Sequence, residues 1–151
     1  LYVDRMNVTL KTFLDRSIPL IDAFIELRDG RCRHARRGGP ENGRVALVSV
    51  CGFTELENFG PLVNHVQAAC RKRGREDAGA LLRPYGSSLP YLKKLGAPVD
   101  EVLAAAAEAG RQLVVEGRMA DDVLGRVSRE LIPRRLYIEA VNASFRQAQK
   151  Q

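Results

Sequence analysis

Val45-Ala46-Leu47-Val48-Ser49-Val50-Cys51-Gly52-Phe53 is the stretch on which the fold turns. Residues 45–50 carry no polar side chain except Ser49. A strand that is apolar on both alternating faces has no side to give to water, so the run predicts a strand inside a parallel sheet, with helices packed on both faces. Cys51-Gly52-Phe53 then predicts a small-residue loop at the strand's carboxyl end, where open parallel sheets hold their ligands.

Downstream, residues 57–74 place Phe59, Leu62, Val63, Val66, Ala69 and Cys70 on one helical face, with Pro61 in the first turn. Arg71, Lys72 and Arg73 close that helix, where positive charge complements the dipole. Residues 78–82 predict a second short strand, ended by Arg83-Pro84, and a loop containing Gly86, Ser87, Ser88 and Pro90 follows. A helix starting near Pro98 has Asp100 and Glu101 in its first turn and an expected inner stripe of Val99, Val102, Leu103, Ala106, Gly110, Leu113 and Val114. Asp121 and Asp122 open a short helix through Val123, Leu124, Val127 and Leu131. Pro133 separates it from a last helix expected to turn Tyr137, Ile138, Val141 and Phe145 inward, before a polar tail over residues 147–151.

Upstream, residues 6–18 predict a helix with Met6, Leu10, Phe13, Leu14 and Ile18 on one face, bent or ended by Pro19. Residues 24–44 hold Asp29-Gly30, Gly38-Gly39-Pro40 and Asn42-Gly43, the chemistry of an extended, Arg- and Gly-rich excursion able to close as a hairpin with exposed arginines. Leu1-Tyr2-Val3 reads as the end of a strand. The order of elements is that of the second half of a doubly wound α/β alternation, in one domain over residues 1–151. Two buried parallel strands cannot satisfy their own edges. Completion is therefore expected from residues 1–3 together with a partner chain, or from sequence before Leu1.

Composition narrows the class. With 45% hydrophobic residues among 151, the chain has the material for an ordinary globular core. No apolar run approaches the roughly 18 to 20 residues that span a bilayer, and no basic-then-apolar leader opens the sequence. Cys32, Cys51 and Cys70 are odd in number and widely spaced, which fits a reducing cytoplasm better than a disulfide framework. Cys32 and His34 with Cys51, His65 or Cys70 match no compact zinc spacing, so no metal is expected. The formal charge of +6 and the arginines at 28, 31, 33, 36, 37 and 44 suit either a phosphate-bearing partner or a solvated loop. The absence of interleaved aromatics and of a helix-turn-helix or RNA-binding signature argues against nucleic acid.

The opening Leu1-Tyr2-Val3-Asp4-Arg5-Met6-Asn7-Val8-Thr9-Leu10-Lys11-Thr12-Phe13-Leu14-Asp15-Arg16, taken with residues 45–53, resembles the flavin-contacting loops of the flavodoxin-like NAD(P)H-dependent FMN reductase family. The first loop of that family often reads close to L-Y-V-D-G-M-T-x-x-L-K-x-F-x-D-R. The likeness also takes in the excursion through His34, residues 45–59 and residues 79–84, about the first 85 residues, and is loose over the C-terminal helices. Arg5 stands where the family often has glycine, and Asn7-Val8 where it often has a small hydroxylated residue and glycine.

The resemblance implies a flavodoxin-like three-layer doubly wound parallel sheet, N-terminally incomplete because the loop that grips the flavin phosphate would lie upstream of Leu1. It implies hydride transfer from NAD(P)H to the N5 atom of bound FMN, with the cofactor carrying the chemistry and no catalytic side chain required. The ring would be held by Leu1, Tyr2, Val3, Asp4 and Met6 on one loop and Cys51, Gly52 and Phe53 on the other. FMN is expected to bind weakly without the phosphate loop, and a homo-oligomer is expected. Lys11, Asp15 and Arg16 are assigned structural roles: an i, i+4 contact from Asp15 to Lys11, and Arg16 on nearby carbonyls. The alternative is a non-catalytic flavodoxin-like fragment that acts through dimerisation, by way of the arginine-rich excursion and the exposed sheet edge.

Overall fold

The computed structural model of the chain describes residues 6–37 and 43–149. Its centre is a pair of parallel strands, β3 (Arg44–Val50) and β4 (Glu76–Arg83), joined by the helix α2 (Gly60–Arg73). Pro61 lies in the first turn of α2, where its missing N–H leaves no bond unmade. Gly74 closes the helix in the left-handed conformation, its N–H on the Cys70 carbonyl.

Alternation along β3 sends Ala46 to one face of the pair and Val45 and Leu47 to the other. Ala46 and Leu81 pack on Ala109 of α4 (Val99–Val115), Val123 of α5 (Asp121–Ser128) and Met119 between them. Val45 and Leu47 instead face Val66, Ala69 and Cys70 of α2 across a cavity of about 450 Å³. The architecture is mixed α/β, with helices on both faces of a two-stranded parallel sheet. Cover on both faces does not extend over the whole of β3. Val48 is 69% exposed, because among the described residues β4 is the only strand beside β3 and the helices centre on β4.

The β3 and β4 registers slip between Val45 and Leu47, opposite Gly79. Gly79 has φ +107°, its N–H bonds the Asp77 carboxylate at 3.1 Å, and a β-carbon there would sit 3.3 Å from Leu124 Cδ1. The bulge thus lets α5 approach the strand closely.

The core lies between β4 and the helices after it, in three adjoining clusters: Tyr85 with Leu92 and Val99, Val102 with Ala105 and Val127, and Ala109 with Met119 and Val123. Leu92 belongs to α3 (Leu89–Lys94), a short helix where the sequence suggested only a loop. Pro90 sits in its first turn rather than breaking it. The buried line of α4 is Val99, Val102, Ala105, Ala109 and Gln112. Leu103 and Val114, expected inside, are exposed, because α5 and β4 meet the alanine side of the helix, where small residues allow close approach. Likewise α6 (Arg134–Ala148) buries no residue. Tyr137 stacks on Tyr85 with centroids 5.3 Å apart, but Ile138 and Phe145 face outward.

Residues 6–37 form an arm. Asn7 caps α1 (Val8–Arg16) by accepting the Leu10 N–H at 2.8 Å, and a single 3-10 turn over Ile18–Leu20 takes up Pro19. β1 (Ile21–Arg28) and β2 (Arg31–Arg36) then pair antiparallel around Asp29 and Gly30, whose φ values of +53° and +69° are those that Asp-Gly supplies to a two-residue hairpin turn. Over its described residues the excursion thus holds a hairpin that begins earlier than the sequence indicated, and the turn signals at residues 38–42 lie outside the described residues. Ile25 lies opposite His34 and Leu27 opposite Cys32 on one side of the ribbon, with Glu26 opposite Arg33 on the other.

Lys11 pairs with Asp15 at 2.5 Å as the sequence suggested. The Leu14 carbonyl, however, is taken at 3.0 Å by Arg73 of α2, which also bonds the Ser17 hydroxyl, rather than by Arg16. Residues 1–3, the expected third strand, lie outside the described residues. Among the described residues no helix is long and apolar enough to cross a membrane.

Candidate functional site

The carboxyl ends of β3 and β4 empty into two loops that are bonded to each other. Cys51 N–H donates to the Arg83 carbonyl at 3.3 Å, Tyr85 N–H to the Phe53 carbonyl at 2.9 Å, and Gly86 N–H to the Cys51 carbonyl at 3.2 Å. The Cys51 thiol also donates to the Phe53 carbonyl at 3.3 Å, and from α6 the Tyr137 hydroxyl donates to the Gly52 carbonyl at 2.6 Å. With the carbonyls committed, the amides of Gly52 and Phe53 have no acceptor among the described residues. The Phe53 ring is 68% exposed, and nothing lies within 4 Å of the place a Gly52 β-carbon would occupy.

Arg83 holds this end of the sheet to the helices. Its side chain is 3% exposed. Nη1 donates to the Val127 carbonyl at 2.6 Å and to the Arg129 carbonyl at 2.9 Å, and Nε donates to its neighbour Pro84 at 3.0 Å. The last carbonyls of α5, which no helical amide can reach, are thereby satisfied by a cation at the negative end of the helix. The guanidinium lies 4.6 Å from the centroid of the Tyr85 ring, and Nη2, buried, has no partner among the described residues. Burial pushes the Arg83 pKa down from its ordinary value, and Tyr85 opposes that shift.

Tyr85 itself has φ +39°, a conformation bulky residues seldom adopt. Four contacts fix it there: its N–H on Phe53, the Leu131 N–H donating to its hydroxyl at 2.7 Å, Arg83 over the ring and Tyr137 beside it. Next to it lies a polar cleft of about 380 Å³, lined among others by Thr54, Glu55, Ser128, Arg129 and Arg134. The Thr54 hydroxyl, 2.9 Å from Glu55, then the residue's own backbone amide and the Arg134 guanidinium at 3.1 Å, hold the Glu55 carboxyl below its ordinary pKa against the opposing effect of desolvation.

Of the residues nominated from sequence, Leu1, Tyr2, Val3 and Asp4 lie outside the described residues. Cys51, Gly52 and Phe53 sit together on the loop after β3. Met6 lines a groove of about 490 Å³ along α2 with Pro61, His65, Ala69 and Lys72, a lining that includes none of the other three. Sequence reasoning treated Arg83-Pro84 only as a strand terminator and Tyr137 only as core. The overlooked signal was Leu81-Leu82-Arg83-Pro84-Tyr85-Gly86: a cation directly after a buried strand, at its carboxyl end, must find acceptors inside the fold. Cys51 and Cys70 are buried and Cys32 is exposed on the hairpin. Burial raises the Cys70 thiol pKa. Among the described residues no three His, Cys, Asp or Glu side chains are grouped to hold a metal ion.

Compared with protein-family models, with curated proteins and with solved structures, the chain matches none of them.

Proposed function

We propose that this chain is part of a flavodoxin-like, doubly wound sheet and that its β3 and β4 loops hold the ring of an FMN cofactor in an NAD(P)H-dependent oxidoreductase. One observation carries the reading: a parallel strand pair ends in two mutually bonded loops that present two amides without an acceptor among the described residues, beside an exposed aromatic ring. A flat, edge-polar heterocycle asks for those features. Gly52 leaves room for close approach of the backbone, the Gly52 and Phe53 amides offer donors to ring carbonyls, and the Phe53 ring offers a face. When bound, the flavin supplies the hydride-accepting centre.

The remaining residues of the site act by position. Tyr85, Tyr137 and Cys51 occupy the loop carbonyls, so the amides rather than the carbonyls face the ligand. Arg83 holds both loops against α5. None of these groups needs to move a proton.

Quenching of FMN fluorescence on titration with the protein, together with FMN-dependent oxidation of NADH or NADPH, tests the reading. Phe53→Ala should weaken FMN binding about tenfold, the scale of one lost aromatic stacking contact. FMN that keeps its full fluorescence at saturating protein, or a Phe53→Ala protein that binds like the original, would sink the proposal.

A further inference from the structure

The arm and the outer face of α4 are two exposed apolar surfaces on one chain. No described residue in 6–37 is buried, although Val8, Phe13, Leu20, Phe24, Ile25 and Leu27 all lie there. Leu27 is 77% exposed on the same side of the ribbon as Ile25. On α4, Leu103 is 51% and Val114 85% exposed, with Ala107 and Gly110 completing a stripe at helical spacing between them. Ordering a residue costs roughly 1–2 kcal/mol of backbone entropy, and an arm with no buried side chain has little within its own chain to offset that. Its stability must come from a surface it covers.

Area and charge indicate which surface. The accessible surface is 10596 Å². A compact monomer of 16.7 kDa should expose roughly 7,600 Å², leaving a surplus of about 3,000 Å². Permanent homodimers bury about 1,000–2,500 Å² on each protomer, so the surplus is large enough to supply such an interface. Residues 8–37 contain seven basic residues and four acidic ones, a net +3, whereas residues 99–128 contain six acidic and three basic ones, a net −3 that Lys93 on Asp100 and Arg129 on Glu101 reduce to −1. The arm of one copy is therefore drawn to the α4 and α5 segment of another.

We propose that the arm docks on the Leu103 to Val114 stripe of α4 in a second copy of this chain, reciprocally, to give a closed two-fold dimer. The proposal is independent of the flavin reading. Because two-fold symmetry makes both contacts equal, each arm covers one α4 and each α4 receives one arm.

Light scattering coupled to size exclusion on the full chain without added cofactor should give twice the 16.7 kDa chain mass. Leu27→Glu on the arm and Val114→Lys on α4 should each raise the dimer dissociation constant tenfold or more, as for a central apolar contact. Both positions are exposed in the single chain, and circular dichroism should show the fold unchanged. Mixing the two variants should restore dimer, because the mixed pair contains one original contact and one Glu-to-Lys contact. A wild-type monomer, a species that grows beyond the dimer with concentration, a dimer indifferent to Leu27→Glu, or variants that fail to rescue each other would overturn the proposal.

Discussion

Residues 6–37 and residues 76–131 are built from equally periodic sequence, yet only the second region has an interior. The arm has a capped helix, an Asp-Gly hairpin turn and several large apolar side chains, and buries none of them. The body buries Tyr85, Leu92, Val99, Val102 and Val127 almost completely. Local propensity is thus sufficient to shape an element but not to place it. Placement needs a second surface, and among the described residues the arm meets the body through Arg73 on Leu14 and Ser17 and across the apolar cavity under α1.

The contrast can be broken by matched substitutions. Leu92→Ala should cost about 3 kcal/mol in urea denaturation, the usual range for a large core side chain replaced by alanine. Leu27→Ala, made in the Val114→Lys background so that the monomer is compared with the monomer, should stay within about 0.5 kcal/mol. Equal losses at the two positions would mean that the arm has an interior after all. Arg83→Met should cost about 2 kcal/mol by stranding the Val127 and Arg129 carbonyls, and Arg83→Lys should recover only part, since one ammonium cannot reproduce the fork.

Smaller effects sharpen the same boundary. Tyr85→Phe removes the acceptor for the Leu131 amide and should cost about 1 kcal/mol. In thiol labelling of the native protein, Cys32 should react at once, whereas Cys51 and Cys70 should react only at the rate of global opening. The smallest effect belongs to pH. Glu55 has a folded pKa below its unfolded value, so its contribution to stability is fully present above the ordinary carboxylate pKa of 4.5 and is lost as pH falls through the depressed folded value. Glu55→Gln should flatten that acid decline in a melting-temperature series, melting slightly below the original protein at neutral pH and converging with it as pH falls.

Much of this was readable from residues. The apolar run at 45–50, the helix stop at Gly74, the Asp29-Gly30 turn and the acidic starts of α4 and α5 each carry a local physical cause, and each appears close to where the sequence placed it. The face of α4 was harder. Both the alanine line and the Leu103 to Val114 line satisfy helical periodicity, and the choice between them depends on which side α5 and β4 approach. The site was half legible for a related reason. Cys51-Gly52-Phe53 announces a loop, but nothing in its own letters reveals that Gly86, Tyr85 and Tyr137 take up its carbonyls and leave the Gly52 and Phe53 amides without acceptors among the described residues.

By itself, then, the sequence determined the elements other than α3, their order and the parallel strand pair, because helix caps, turn glycines and apolar periods act over a few residues. The tertiary structure alone decided which apolar stripe became core, that a buried arginine closes α5, and that the arm remains uncovered within its own chain. Those outcomes depend on contacts between residues tens of positions apart, such as Arg83 with Val127 and Tyr137 with Gly52, whose geometry no local pattern encodes.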